Sequence, residues 1–97
     1  MDEVEAGEIL DRTLRDLRGL GYEGLMSRRA EGVDAFEIDG ASGAQYQIEV
    51  EVFWDNLRLR GGPLRVIASI DDGRGWRSIS PLTRSFIMAP DGSCLDD

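Results

Sequence analysis

The period of the hydrophobic pattern changes part-way along this chain, and that change limits the folds it can adopt. The first 20 residues carry apolar side chains at helical spacing: Ile9, Leu10, Leu14 and Leu17. This stripe predicts a one-sided helix of about 12–17 residues that must pack against another element. From residue 33 onward the apolar positions recur at every second residue, which is typical of strands.

The clearest strand covers residues 45–54. Its even positions are apolar, namely Tyr46, Ile48, Val50, Val52 and Trp54. Its odd positions are polar apart from Phe53, and this alternation indicates an antiparallel strand with one wet face. We expect residues 33–39 to pair with this strand as a hairpin. Both Asp39-Gly40 and Ser42-Gly43 are candidate turns for that hairpin.

Further strands follow the hairpin. The apolar positions shift from even to odd numbers after Trp54, so we expect Asp55-Asn56 to hold a turn or a bulge. Residues 64–70 are apolar on nearly both faces, which predicts a central strand covered on one side by the helix. Residues 86–88 predict a last strand.

Other segments give weaker signals. Residues 22–32 are ambiguous, and a short strand at residues 25–30 is one interpretation. Residues 71–75 predict a glycine-rich turn that leads into residues 76–80. Ser80-Pro81 is expected to open a single helical turn, because a capping residue followed by proline often starts a helix.

The order of elements, helix first and strands after, predicts an α+β fold. In it, the N-terminal helix packs on one face of a meandering antiparallel sheet of about four to six strands. A small barrel or roll is the alternative. A chain of 97 residues has room for one domain, which we expect to cover residues 1–97.

The absence of histidine and lysine restricts the chemistry of this chain, because all 11 of its basic residues are arginine. Imidazole relays, histidine metal ligands and lysine Schiff bases are therefore excluded. The single cysteine, Cys94, forms no internal disulfide and no zinc site, and its acidic neighbours favour an inert thiol. We expect a protein that is not an enzyme and that has no cofactor and no metal site.

The N-terminus is acidic, whereas a secretory signal begins with positive charge. No stretch of the sequence approaches the roughly 18 apolar residues of a membrane span. A cytoplasmic location without membrane contact is the resulting expectation.

Three short motifs have both a functional and a structural interpretation. Residues 19–24 match the glycine pattern G-x-G-x-x-G, but a helix rather than a strand precedes them, so a helix stop is favoured over a nucleotide site. Residues 71–73 lack the spacing of a calcium loop and favour a turn. Glu49 and Glu51 lie on one strand face about 6.5–7 Å apart, where a wet surface is favoured over an acid/base pair.

Charge is distributed unevenly along the chain, whose net charge is -8. Residues 30–51 carry six acids and no arginine, a local net charge of -6, whereas residues 58–84 carry six arginines and two aspartates, a local net charge of +4. One interpretation is that neighbouring strands pair these opposite charges across the sheet. The other is an acidic face for a basic protein partner, or a bipolar surface that self-associates.

These observations favour a small acidic interaction protein, of an inhibitor, immunity-like or regulatory type, that binds a basic protein surface through residues 33–51. A homodimer is a further candidate assembly. The net negative charge disfavours nucleic acid as a partner. The candidate binding residues combine acids with neighbouring aromatic anchors: Glu37, Asp39, Glu49, Glu51, Phe53 and Trp54.

Two alternatives remain open. One is a small-molecule-binding or carboxylate-using enzyme domain, with a pocket between helix and sheet that converges on a buried carboxylate or on Tyr46 with Arg65. The other is a subunit of an obligate assembly, in which Trp54 or Trp76 is buried only by the partner.

Overall fold

The computed structural model describes residues 2–72 and 81–95, and within these ranges the chain forms two helices and five strands. Their bounds are α1 Glu3–Gly19, α2 Gly21–Glu31, β1 Asp34–Asp39, β2 Gln45–Trp54, β3 Leu64–Asp71, β4 Leu82–Met88 and β5 Cys94–Leu95. The strands lie in the order β1-β2-β3-β4-β5, and each neighbouring pair is antiparallel. The predicted α+β fold, a helix on a meandering antiparallel sheet, is confirmed.

Helix α1 follows its sequence pattern closely. The side chain of Asp2 caps it, since Oδ1 accepts hydrogen bonds of 3.1 Å from the backbone N–H groups of Val4 and Glu5. The apolar stripe is buried throughout, at Ile9, Leu10, Leu14 and Leu17. Neither α1 nor α2 is long and apolar enough to cross a membrane.

Helix α2 corrects the interpretation of residues 25–30 as a short strand, which is wrong. Its inward face is formed by positions three and four residues apart: Tyr22, Leu25, Met26 and Arg29. Only Leu25 is fully buried. Tyr22 and Arg29 are amphipathic and do not count as apolar residues, so the apolar positions of the sequence do not show the helical period. The motif at residues 19–24 spans the junction of the two helices. Gly21, whose φ is 72°, separates them.

The sheet has two distinct faces. Its even-numbered residues face the helices, because the register places Ile48 opposite Ile70 and Val52 opposite Val66. On β3 these residues are completely buried: Leu64, Val66, Ala68 and Ile70. Helix α1 packs over β3 and β4, and α2 packs mainly over β2. The core therefore lies between the two helices and the three middle strands.

The turns agree in part with expectation. Gly40 donates to the carbonyl of Ala44 (2.7 Å), and Gly43, at a φ of 90°, donates to Gly40 (3.0 Å). This is a three-residue hairpin loop with Gly43 in the left-handed position, so Ser42-Gly43 is the turn that forms. The turn expected at Asp55-Asn56 is confirmed, because the N–H of Asp55 donates to Pro63 and closes the loop over residues 55–63.

The segment after β3 is only partly described. The expected helical turn at Ser80-Pro81 is wrong beyond Pro81, because β4 begins at Leu82. Of the glycine-rich turn predicted at residues 71–75, Asp71 is the last residue of β3. Residues 73–80, with Trp76, lie outside the described residues. The last strand, predicted at residues 86–88, is longer than expected and is followed by β5.

We predict that Leu10→Ala destabilises the fold by about 2–5 kcal/mol, because Leu10 is completely buried and its removal leaves a cavity between α1 and the sheet. Chemical denaturation followed by circular dichroism measures this loss. Arg15→Ala, at an exposed position of the same helix, is the matched control and is expected to change stability by less than about 0.5 kcal/mol. Equal effects of the two substitutions would contradict the burial of Leu10 between α1 and the sheet.

Candidate functional site

The odd-numbered residues of the sheet form a face that neither helix covers, which we call the open face. Its acidic part lies on β1 and β2 and consists of Glu37, Asp39, Glu49 and Glu51, all of them exposed. Phe53 lies on the same face and is half-buried. The structure thus brings together five of the six candidate binding residues on one surface.

Trp54, the sixth candidate, lies on the opposite face. As an even-numbered residue of β2 it pairs with Leu64 and packs against the core. The guanidinium carbon of Arg29 lies 5.0 Å from the centre of its ring, within the range of a cation–π interaction. Grouping Trp54 with the acidic residues is therefore corrected, because strict alternation along β2 separates it from Phe53.

The register does not pair the acids of β2 with arginines. Glu49 lies between Ala35 and Ser69, and Glu51 lies opposite Ile67. Within residues 2–72 and 81–95, the ion pairs formed are Arg28–Asp34, Arg65–Asp55 and Arg84–Asp11. None of them involves Glu37, Asp39, Glu49 or Glu51. Pairing of opposite charges across the sheet therefore does not occur at Glu49 and Glu51.

The described arginines of residues 58–84 lie at different places in the fold and not on one surface. Arg65 lies on the open face, where its Nε is 3.0 Å from Oδ1 of Asp55. Arg84 points to the helix side, because it shares the face of Phe86, and it pairs with Asp11 of α1. Arg58 and Arg60 lie in the loop after β2. Among the described residues, the basic part of the chain thus forms no single surface opposite to the acidic one.

The open face is polarised along its strands. At the end away from the β1–β2 turn, one row across the sheet joins Phe53, Arg65, Ile87 and Leu95. Ile67, opposite Glu51, adds to this apolar end. The acids extend from Glu51 toward the β1–β2 turn, so the open face changes from apolar to acidic along its strands.

A groove of about 280 Å³ lies on the helix side, between α1, α2 and β1. It forms because α1 packs over β3 and β4 and α2 over β2, which leaves the helix side of β1 uncovered. Phe36 and Ile38 of β1 line it together with Ile9 and Leu17 of α1. Phe36 remains 39% exposed there although it points to the helix side.

The rim of the groove is polar and carries balanced charge, from Arg12, Asp16, Arg28 and Asp34. Nη1 of Arg28 lies 2.9 Å from Oδ2 of Asp34, so these two charges compensate each other. No polar or charged residue is buried in the part of the chain that the structure describes. The groove is consequently an apolar surface with a charged rim, without a buried carboxylate.

The suggested pairing of Tyr46 with Arg65 is wrong. Tyr46 points to the helix side and Arg65 to the open face. Arg65 lies opposite Phe53, seven residues from Tyr46 along β2, which corresponds to about 23 Å at the rise of a strand. The two side chains thus do not converge on a common substrate position.

Tyr46 instead belongs to a cluster centred on Glu5, which sequence analysis missed. The hydroxyl of Tyr46 donates to Oε1 of Glu5 (2.7 Å), and Ser42 donates to the same carboxylate through its hydroxyl (2.6 Å) and its backbone N–H (3.0 Å). These bonds tie the first turn of α1 to the β1–β2 turn. No local pattern reveals the contact, because 37 and 41 residues separate its members from Glu5.

The hydrogen bonds of this cluster shift the pKa values of Glu5 and Tyr46. The bonds from Ser42 and Tyr46 lower the pKa of Glu5, because they stabilise its charged form. The bond to Glu5, together with burial, raises the pKa of Tyr46 to about 12. Since the Glu5 carboxylate accepts three bonds within the protein, the cluster acts as a structural clasp.

Comparison with family models, curated proteins and solved structures finds no match to this chain. Within the described ranges, no three acidic or cysteine side chains lie close enough together to hold a metal ion. The open face and the groove are the two candidate binding surfaces of the described residues.

We predict that the clasp is visible in the titration of Tyr46. Its contribution to stability is complete below pH 10 and is lost as the pH rises through about 12, because only the protonated hydroxyl donates to Glu5. Glu5 acts in the opposite sense: its contribution is present above pH 4.5 and is lost as the pH falls through its lowered pKa.

The measurement is ultraviolet absorbance in a Tyr22→Phe background, which leaves Tyr46 as the sole tyrosine. We expect a midpoint near pH 12, and a lower midpoint when Glu5→Gln is added, with circular dichroism confirming that the protein stays folded. An unchanged midpoint in the Glu5→Gln variant would show that the hydrogen bond does not govern the titration.

Proposed function

We propose that this chain is a small acidic protein-interaction domain that binds a basic protein surface through its open face. The observation that supports this is the set of four exposed carboxylates, Glu37, Asp39, Glu49 and Glu51, on a sheet face that no described helix covers. No arginine lies directly across from the two acids of β2.

Charge explains why such a face favours a basic partner. Exposed carboxylates that form no ion pair with the described arginines create a negative potential that steers a basic protein toward them and speeds association. The same potential repels nucleic acid, and it disfavours a homodimer in which two open faces meet. The apolar end at Phe53 and Ile67 supplies contacts that a purely electrostatic surface lacks.

The size of the open face limits what it achieves alone. Four neighbouring strands of about seven residues, spaced about 4.8 Å apart, cover a flat area of roughly 450 Å². A standard interface buries about 800 Å² on each partner. Because a flat area is smaller than the accessible surface of the side chains that cover it, an interface of standard size would need the whole face.

The proposed role is regulatory or inhibitory toward the basic partner, without an enzymatic step and without a cofactor. A cytoplasmic location is part of the proposal and agrees with the single cysteine of the chain, which forms no internal disulfide.

The second candidate, a ligand-binding or carboxylate-using enzyme domain, has the groove in its favour. Its volume of about 280 Å³ is close to the lower end of the roughly 300–1,000 Å³ typical of ligand pockets. The groove carries Asp16 and Asp34 at its rim rather than a buried carboxylate, and Asp34 is held by Arg28. The interaction domain is accordingly the preferred function.

We predict that the double variant Glu49→Arg with Glu51→Arg loses a partner that the unaltered protein captures from a lysate of its source organism. Its matched control is Glu8→Arg with Glu23→Arg, which changes the net charge equally at exposed helix positions on the other side of the sheet. The captured proteins are identified by mass spectrometry at low and at high salt.

The expected partner is a basic protein that is released as salt rises, is lost in the open-face variant and is retained by the helix variant. Loss of the partner from both variants would assign binding to net charge alone, and retention of the partner by both would reject the open face as the site.

A further inference from the structure

We propose that the outer edge of β1, together with the adjacent groove, binds an extended segment in which basic and apolar residues alternate. The inference rests on the proposed interaction role and shares Glu37 and Asp39 with the open face, but it adds the free edge of β1 and the groove on the helix side. It names the conformation and the side-chain pattern of the bound segment. The mode of binding is the addition of a strand to the sheet edge.

The backbone of β1 is available for such pairing. Strand β1 is an edge strand, and the structure describes no segment paired with its outer side. The N–H of Gly40 donates to Ala44, which fixes this pair as hydrogen-bonded. In an antiparallel ladder, bonded and non-bonded pairs alternate. The backbone N–H and C=O groups of Ala35, Glu37 and Asp39 therefore point outward, toward an incoming strand.

Side chains on one face of the edge select basic residues. The outward-bonding residues Glu37 and Asp39 carry their carboxylates on the open face, and Glu49 lies behind them opposite Ala35. Residues directly opposite each other on paired strands share a face, with their Cβ atoms about 4.5–5.5 Å apart. Lysine or arginine in the incoming strand, opposite Glu37 and Asp39, would meet an acid across the pair.

Side chains on the other face select apolar residues. The incoming residues opposite Phe36 and Ile38 would lie beside the groove, where these two side chains line an apolar wall. Phe36 is 39% exposed at this position, so an added apolar side chain would remove its surface from water. The rim charges of Arg12 and Asp16 and of Arg28 and Asp34 balance, which favours neither sign there.

A second copy of this chain fits the edge poorly. Antiparallel pairing of two β1 strands would place Glu37 and Asp39 of one copy among the acids of the other, and like charges directly opposite are destabilising. Charge on an edge also protects proteins against unwanted pairing. What distinguishes β1 from a merely protected edge is the exposed apolar wall of the groove beside it.

The test uses the whole protein and a fluorescently labelled heptapeptide of alternating lysine and valine, with lysine at both ends. Binding is followed by fluorescence anisotropy at low and high salt. Two further peptides carry backbone N-methyl groups, either on two lysines or on two valines. In the proposed complex the lysine N–H groups point to β1 and the valine N–H groups point away. The two methylated peptides therefore differ only in which edge of the peptide strand loses hydrogen-bond donors, the edge that faces β1 or the opposite edge.

We expect the unmodified peptide to bind, and its binding to weaken as salt rises. Methylation of the lysine nitrogens should weaken binding by at least about tenfold, whereas methylation of the valine nitrogens should change it by less than about twofold. Equal binding of both methylated peptides, or no binding of the unmodified one, would overturn the proposal. Hydrogen exchange should also slow at the amides of Ala35, Glu37 and Asp39 when the peptide is bound.

Protein variants test the groove separately. Phe36→Thr should weaken peptide binding by about tenfold, and Leu57→Thr, which alters an exposed apolar residue in the loop after β2, should leave it unchanged. Both residues are exposed, so neither substitution threatens the core. Equal effects would reject the groove. Slow exchange at the β1 amides in a peptide-free dimer, detected by sedimentation, would assign the edge to a second copy and overturn the proposal.

The outcomes remain distinguishable from those of the open-face experiment. A peptide that fails to bind, combined with loss of the lysate partner in the Glu49→Arg and Glu51→Arg variant, rejects strand addition and leaves the proposed function in place. Peptide binding at β1 without any effect of that variant on lysate capture supports the edge and rejects the open face.

Discussion

The packing of the two helices against the even-numbered residues of β2, β3 and β4 is the contact on which the rest of this structure depends. It buries Leu10, Ile48 and Ile70 completely and commits one face of the sheet to the core. Because side chains alternate along a strand, the same contact assigns every odd-numbered residue to the other face. The exposure of Glu49 and Glu51 is thus a consequence of burying their neighbours.

The lateral position of the helices has a second consequence. Two helices cover β2, β3 and β4, and the sheet continues beyond them to β1. Phe36 and Ile38 therefore face the helix side without a helix above them, and the groove results. The Glu5 clasp holds the β1–β2 turn to the start of α1, so the uncovered strand is kept in place. A free sheet edge, an apolar groove and an acidic face consequently meet along one strand.

Local pattern predicted much of the fold, and its failures have physical causes. The period-two alternation of residues 45–54 gave the two faces of β2 correctly, because alternation is a property of the strand backbone itself. Helix α2 was missed because Tyr22 and Arg29 bury their apolar parts while they count as polar in a sequence pattern. Trp54 was grouped with the acids because it is close to them in the sequence. As an even-numbered residue of β2 it lies on the helix side, opposite Leu64.

The sequence by itself determined helix α1 with a sheet after it, the two faces of β2 and the acidity of residues 30–51, since these depend on local period and on composition. Only the tertiary structure decided that Glu49 and Glu51 lie across from uncharged residues. It also decided that Arg84 forms an ion pair with Asp11 and that β1 is an uncovered edge strand. These features depend on strand register and on the lateral placement of the helices. Both are set by side chains that pack together from distant parts of the chain, so no local pattern contains them.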